Sequence, residues 1–463
     1  MNVYGIEFDV KNIPVLDKQY IPMGAFVRAF EKSAAGKCQV AIAVERSKGQ
    51  VARRDVFIHG TDDMYDADCV YIERMVKMML WCFGGWKVYI CGTPKIGDYI
   101  KNTYCKGGER EFDADFMARV YEKPFEVVSL ALEDVPAKNE AATPIGRHMD
   151  GCRIGFDAGG SDRKVSAVID GESVYSEEVV WFPKVTEDPD YHFNGIVEAM
   201  KTAASKMPRV DAIGVSSAGI YVDNRAMVAS LFLKVPQDLF DAKVKDIYIR
   251  AAKEIGDVPL VVANDGDVTA LAGAMGLEDN NVLGIAMGTS EAAGYVDGDG
   301  NITGWLNELA FAPVDLAADA MVDEWSGDKG CGVKYFSQDG IIKLAPAAGI
   351  ELDESLSPAE KLKVVQKAMA DGNPNAKDIY SSIGVYLGHA LGYYSMIYGM
   401  KHVLLLGRVM SGEGGAILVS EATRVFNEEY PEYAAKCELN LPDEKTRRVG
   451  QSAAAASLPE INK

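Results

Sequence analysis

Apolar residues fall into short runs that alternate with stretches at helical spacing, and the two patterns mark out the chain. Residues 39–44 and 55–58 read as strands joined around Lys48-Gly49, a hairpin. Residues 68–83 carry apolar positions at helical spacing until Gly84-Gly85 stops them, and 87–91 is a further strand. Within that helix Met75, Met78, Met79 and Leu80 read as core packing more readily than as a binding face. Residues 133–144 are polar, contain two prolines and have no period, which is the composition of a linker.

From Gly151 the pattern becomes strand and helix in alternation, the signature of an α/β fold. Residues 153–161 form a strand ending in Asp157 and the pair Gly159-Gly160, and a second strand ends at Asp170-Gly171. A helix over about 192–206 leads to 210–219, a strand that ends in small residues. After a helix near 241–255, the apolar run 259–262 reads as a buried strand, and Asn264-Asp265 opens a helix of small residues. Residues 282–290 are another strand with a Gly-Thr turn at its end. A long amphipathic helix over 378–400 feeds the strand 402–406, then Gly407-Arg408, and Gly450 opens a closing small-residue helix.

A chain of 463 residues is long enough for two or three domains. Its 48% hydrophobic and 25% charged residues are those of a soluble globular protein. A net charge of −20 argues against a nucleic-acid partner, which needs Lys and Arg to neutralise phosphates. The eight cysteines have no paired metal-ligand spacing, so free thiols in an intracellular chain are expected. The N-terminus lacks a basic region followed by an apolar core, and no apolar run is long enough to span a bilayer; the expected compartment is the cytoplasm, with no membrane partner.

The chemistry is concentrated at strand ends. Asp265 sits at the carboxyl end of a strand, just before a helix, where open α/β sheets bind their ligands. Taken alone, Asn264-Asp265 is equally a helix cap, and each glycine cluster is equally a tight turn. Two glycine turns bracketing Asp265 change that balance, because backbone N–H groups at such turns can hold phosphate from either side. His192 reads as a surface or capping residue rather than a ligand.

Together these motifs resemble the ROK family of sugar kinases, within the actin and hexokinase-like superfamily of two-lobed, ribonuclease H-like folds. The resemblance runs from about Gly151 to the C-terminus and keeps the family's order. It implies a first lobe over 151–270 and a second over 271–463; the residue pattern ahead of them reads as an additional small α/β domain over 1–132, of unknown role and not part of the minimal kinase, and a linker over 133–150. It further implies ATP and Mg²⁺ as cofactors, a sugar as substrate, and Asp265 as the catalytic base. Asn264, Glu308, Ser217 and Gly219 would contact the sugar. Gly159, Gly160, Ser161, Gly288, Thr289, Ser290 and Gly407 would hold the nucleotide, and Asp157 would hold Mg²⁺. A homodimer is left open. The repressors of the family carry an N-terminal helix-turn-helix, and no basic recognition helix stands in this sequence.

Four departures bear on activity. Where the family has a Glu-x-Gly-His segment, the chain reads Glu308-Leu309-Ala310-Phe311, an aromatic ring in place of the imidazole. The cysteine-rich zinc loop is reduced to Cys331; a structural zinc needs about four ligands, so no zinc is expected. Arg408 replaces a glycine near the adenosine, either narrowing that cleft or offering phosphate a cation. Glu291 follows the second phosphate turn. Facing the phosphates, it would oppose ATP by about 4 kcal/mol per like-charge pair at roughly 4 Å and an effective dielectric near 20. Strand alternation could instead send it to the far side, or it could contact a substrate hydroxyl. The expected function is therefore an ATP-dependent hexose-type kinase, and the alternative is a catalytically impaired sugar-sensing or regulatory protein.

Overall fold

The computed structural model describes residues 1–140, 145–442 and 450–461. Part of the expected linker, residues 141–144, lies outside the described residues. The chain forms two compact units, each assembled from three segments. One comprises Met1–Ala141, Ile285–Ala293 and Trp305–Leu441; the other comprises Ala142–Gly284, Gly294–Gly304 and Pro442–Lys463. No helix among the described residues is long and apolar enough to cross a membrane.

In the first unit a four-stranded sheet has the order Val51–Ile58, Cys38–Glu45, Lys87–Cys91, Glu126–Leu130. The predicted hairpin is present: 38–45 pairs antiparallel with 51–58. The helix Tyr65–Phe83 is buried on every face from Tyr71 to Cys82, with Glu73, Arg74 and Lys77 buried alongside its apolar residues. Met75, Met78, Met79 and Leu80 are all core residues, and Gly84, at φ +81°, ends the helix. A second sheet, whose first two strands belong to this unit only over Ile285–Ala293, has the order Glu291–Val296, Val282–Met287, His402–Leu406, Glu438–Asn440. Beside it the helix Pro374–Tyr394 starts at the Asn373 cap, with Pro374 at its first position. A Cβ on Gly388 would stand 2.6 Å from that of Val425, so glycine there lets the helix Glu413–Glu429 approach closely.

Residues 1–132 do not stand as a unit of their own. They share a core with 305–441: Trp81 stacks on Phe311 at 4.1 Å, and His389 Nε2 lies 2.8 Å from the Asn12 carbonyl oxygen. The described part of the linker is tied down too. Asn139 exchanges backbone hydrogen bonds with Val51, and Glu140 pairs with Arg46 at 2.7 Å.

The second unit is built on a five-stranded sheet, in the order Leu260–Asn264, Ala212–Ser217, Cys152–Ala158, Asp162–Ile169, Glu172–Val180. The first three are parallel and the last three form an antiparallel meander. Ile154, Phe156, Ile213, Val215 and Val262 turn into a core closed by Ile196, Met200 and Ile247 from two helices. The helix Gln451–Ala456 lies against the sheet at Gly155 and Gly214, where a Cβ would stand 1.7 Å from the carbonyl oxygens of Ser452 and Ala455. Only glycine lets a helix backbone come that near.

Candidate functional site

Parallel register brings three strand ends into one row. Ser216 is the register partner of both Asp157 and Ala263, and Ser217 of both Ala158 and Asn264. Asp265 follows at once as the first residue of the helix Asp265–Leu277. Asn264 is the cap: its Oδ1 accepts the Gly266 N–H at 2.7 Å, and its Nδ2 donates to the Gly219 carbonyl at 2.7 Å. The cap and the candidate base are thus different residues. Gly219, at φ +133°, has the Val228 carbonyl oxygen 2.4 Å from where a Cβ would be, and it serves to hold Asn264.

Burial raises the pKa of Asp265, against the Gly266 N–H and the charge of Lys184. Asp157 is 7% exposed, and burial pushes its pKa up to about 6, with Asp265 adding repulsion and the Ser216 hydroxyl, donating at 2.8 Å to Oδ1, opposing it. Gln451 completes the group, its Nε2 donating to Ser216 Oγ at 2.9 Å and to the Asp265 carbonyl at 3.1 Å. Two carboxyls that repel each other, one oxygen of Asp157 having no hydrogen bond among the described residues, suit a divalent cation. Among the described residues no group of three or more His, Cys, Asp or Glu is placed to hold a metal.

The pKa of Asp157 has a consequence for stability. From the ordinary 3.8 up to about 6 the native protein keeps a proton that the unfolded chain releases. Native stability therefore falls as pH rises through that window, by roughly 3 kcal/mol. Asp157→Asn is expected to flatten the dependence, as measured by denaturant unfolding at pH 4 and pH 7 without divalent cations. An unchanged slope would count against the assignment.

The first glycine turn is pinned from above. The Gly159 carbonyl accepts the Trp181 indole N–H at 2.7 Å, and the Ser161 carbonyl accepts the Trp181 backbone N–H at 3.1 Å. Ser161 donates its hydroxyl hydrogen to Asp162 at 2.9 Å instead of holding it out for phosphate. Ser217 departs further from expectation. It is fully buried, and its oxygen accepts from Tyr221 at 2.7 Å and Tyr248 at 2.8 Å, which ties it to two core tyrosines. His192, expected as a surface or capping residue, is also fully buried, with its ring nitrogens 3.0 and 2.9 Å from the carbonyl oxygens of Asp188 and Pro183.

The remaining expected site residues lie in the first unit. Gly288 bonds within its own turn, its N–H donating to the Ser290 carbonyl at 3.0 Å, while Thr289 and Ser290 are exposed. Arg408 Nη2 donates to Thr289 Oγ1 at 2.5 Å, which brings a cation to this turn. Gly407, at φ +95°, has the Met287 carbonyl oxygen 2.2 Å from where a Cβ would be. Glu291 points inward, 3% exposed, with neither carboxyl oxygen hydrogen-bonded among the described residues. Burial raises its pKa well above the ordinary value, and Glu308 adds to the rise. Strand alternation explains this: Ser290 and Ala292 face out, Glu291 in.

Glu308 is half-buried and caps the short turn Leu309–Phe311, its N–H donating to the Trp81 carbonyl at 2.9 Å. Phe311 is buried among Trp81, Phe112, Phe116 and Trp325. Cys331 is buried beside Asp328, at the place of the family's zinc loop. Asp328 accepts from Arg74 at 3.0 Å, Lys77 at 2.9 Å and Arg110 at 2.7 Å. Burial alone would raise its pKa, but these three cations hold it well below the usual carboxylate range. Sequence reasoning missed Lys184 and this ionic cluster; neither carries a local motif.

Residues 153–455 match the model of the ROK family. The ROK hexokinase from Thermus thermophilus is similar in structure, with 18% identity and a TM-score of 0.50 over 66% of this chain and 97% of that one. A ROK family transcriptional regulator, a homologue of the E. coli MLC protein, gives 18% identity and a TM-score of 0.50 over 67% of this chain and 79% of that one. At such identity the likeness shows the fold alone. Among curated protein sequences none matches. A match that begins in the strand bearing Asp157 and runs into the closing helix makes this chain a member of the ROK family.

Proposed function

We propose that the protein is an ATP-dependent sugar kinase, transferring the γ-phosphoryl group to a hydroxyl of a hexose or related sugar. The observation that carries this reading is Asp265, a carboxyl raised by burial, relieved of capping by Asn264, and beside Asp157 at a row of strand ends. A base whose pKa lies nearer the working pH takes a proton more effectively. Asp265 accepts the proton of the attacking hydroxyl, and the remaining amide hydrogen of Asn264 orients a neighbouring one. Glu308 is the sugar-binding carboxylate by family resemblance. Backbone at Gly159–Gly160 and Gly288–Ser290 receives the phosphates, and Gly407 leaves room for the adenosine. Asp157 would hold Mg²⁺, which when bound neutralises charge on phosphate oxygens. With Glu291 turned inward, like-charge repulsion at the second turn does not oppose ATP.

A sugar-sensing protein without transfer is the second reading. It is favoured by Thr289, whose oxygen already accepts from Arg408 at the turn that the kinase reading gives to the nucleotide. A coupled ADP-release screen over hexoses and amino sugars, with calorimetric binding alongside, separates the two. Mg²⁺-dependent ADP release with one sugar is expected. Sugar binding without ADP release would favour the second reading, and binding of no sugar would sink both.

A further inference from the structure

Lys184 stands over the first phosphate turn. The strand Glu172–Val180 runs into Trp181, whose two hydrogen bonds to Gly159 and Ser161 fasten the chain to that turn. The next turn, Pro183–Val185, is held from the core side by His192, whose Nε2 lies 2.9 Å from the Pro183 carbonyl oxygen. This double anchorage fixes where Lys184 leaves the backbone. Its side chain crosses Gly160: a Cβ there would be 2.7 Å from Lys184 Cε and 2.9 Å from Nζ. Glycine at 160 is what gives the ammonium its room. Among the described residues Lys184 has no hydrogen bond or ion pair, although the unit is rich in carboxylates, and its charge is felt at Asp265. An exposed cation without a protein partner, aimed over a glycine turn at a strand end, is arranged for an anion from outside the chain.

We propose that Lys184 is a catalytic lysine that binds a terminal phosphate oxygen of the nucleotide and stabilises the charge spread over the phosphoryl group in transfer. The proposal rests on the kinase reading. In the step, the sugar oxygen bonds to the γ-phosphorus while the bond from that phosphorus to the β–γ bridging oxygen breaks. ADP leaves with the electron pair, the hydroxyl proton passes to Asp265, and Lys184 keeps its protons throughout. Lysine acts here as a point charge on a flexible stem, which can follow the oxygens as they flatten.

The test uses the full chain and the variants Lys184→Ala and Lys184→Arg, with thermal unfolding to establish equal folding. Equilibrium binding of ATP, ADP and AMP is measured together with ADP release at saturating sugar. Loss of the ammonium is expected to weaken ATP binding about tenfold, leave AMP binding unchanged and lower kcat by about 10². Lys184→Arg should recover part of both. The acidic limb of the kcat–pH profile should move to higher pH in Lys184→Ala, because a positive charge near the base is gone. Wild-type ADP release with Lys184→Ala unchanged in ATP affinity and kcat would overturn the role of Lys184 alone. Equal weakening of ATP and AMP would also overturn it, since the contact would then not be at the terminal phosphate. Wild-type ATP binding without ADP release would remove the kinase reading while the ATP-against-AMP comparison still decides the contact. No nucleotide binding by the wild type would end both.

Discussion

Asp265→Asn should leave the protein folded and lower ADP release by about 10²–10⁴-fold, the usual worth of a general base. The expectation of an intact fold has a specific ground. The helix Asp265–Leu277 is capped by Asn264, and Gln451 reaches the backbone carbonyl of Asp265, not its carboxyl. An asparagine at 265 keeps an oxygen to accept the Gly266 N–H, now 3.1 Å from Asp265 Oδ1, and relieves the repulsion that Asp157 feels. Thermal stability should therefore match or exceed the wild type, and sugar affinity should persist. Because burial raises the Asp265 pKa, the wild-type rate should climb with pH through that raised value, and no such limb should remain in the variant's residual rate. Equal kcat in the two proteins would remove Asp265 as the base.

Asp328→Ala is expected to destabilise the first unit by about 3–5 kcal/mol, because it leaves buried cations short of a partner. Arg74, Lys77 and Arg110 all converge on this one carboxylate, and the first two are nearly inaccessible to water. Glu73 and Asp113 remain to answer three positive charges, with Glu73 bonded to Arg74 and Arg110, and Asp113 to Lys77. The sign with pH follows from the direction of the shift. The Asp328 carboxyl is held below its ordinary value of 3.8, so its contribution is present above that pH and is lost as pH falls below it. Denaturant unfolding of wild type and variant at pH 7 measures the loss. A difference below about 1 kcal/mol, the worth of a surface pair, would show the cluster to be incidental.

What could be read in the sequence was what is written locally. Asp157 and Asn264-Asp265 are legible because a strand, a small-residue turn and a helix start lie within a few positions of each other. The strand-end row that unites them is the ordinary result of parallel pairing. Ser217 looked the same as its neighbours, yet its environment is made by Tyr221 and Tyr248, the latter 31 residues away, which no local pattern announces. The inward turn of Glu291 was one of three open possibilities, and only the register of its strand decides it. The first 132 residues do not form the separate body expected of them, and Phe311 shows why. The ring at 311 is the counterpart of Trp81, and two sequence stretches that each suggest a separate body complete one core. Lys184 had no signal beyond being a lysine after a strand.

The division of each unit into three sequence segments has a consequence for how the chain is made. Trp81 leaves the ribosome long before Phe311, at synthesis rates of about 5–20 residues per second a delay of roughly ten to fifty seconds. During that interval Trp81 lacks its stacking partner Phe311, and Arg74 and Lys77 lack the carboxylate of Asp328. The protein emerges with one ring and one charge-balancing carboxylate of its interior still waiting on sequence not yet translated.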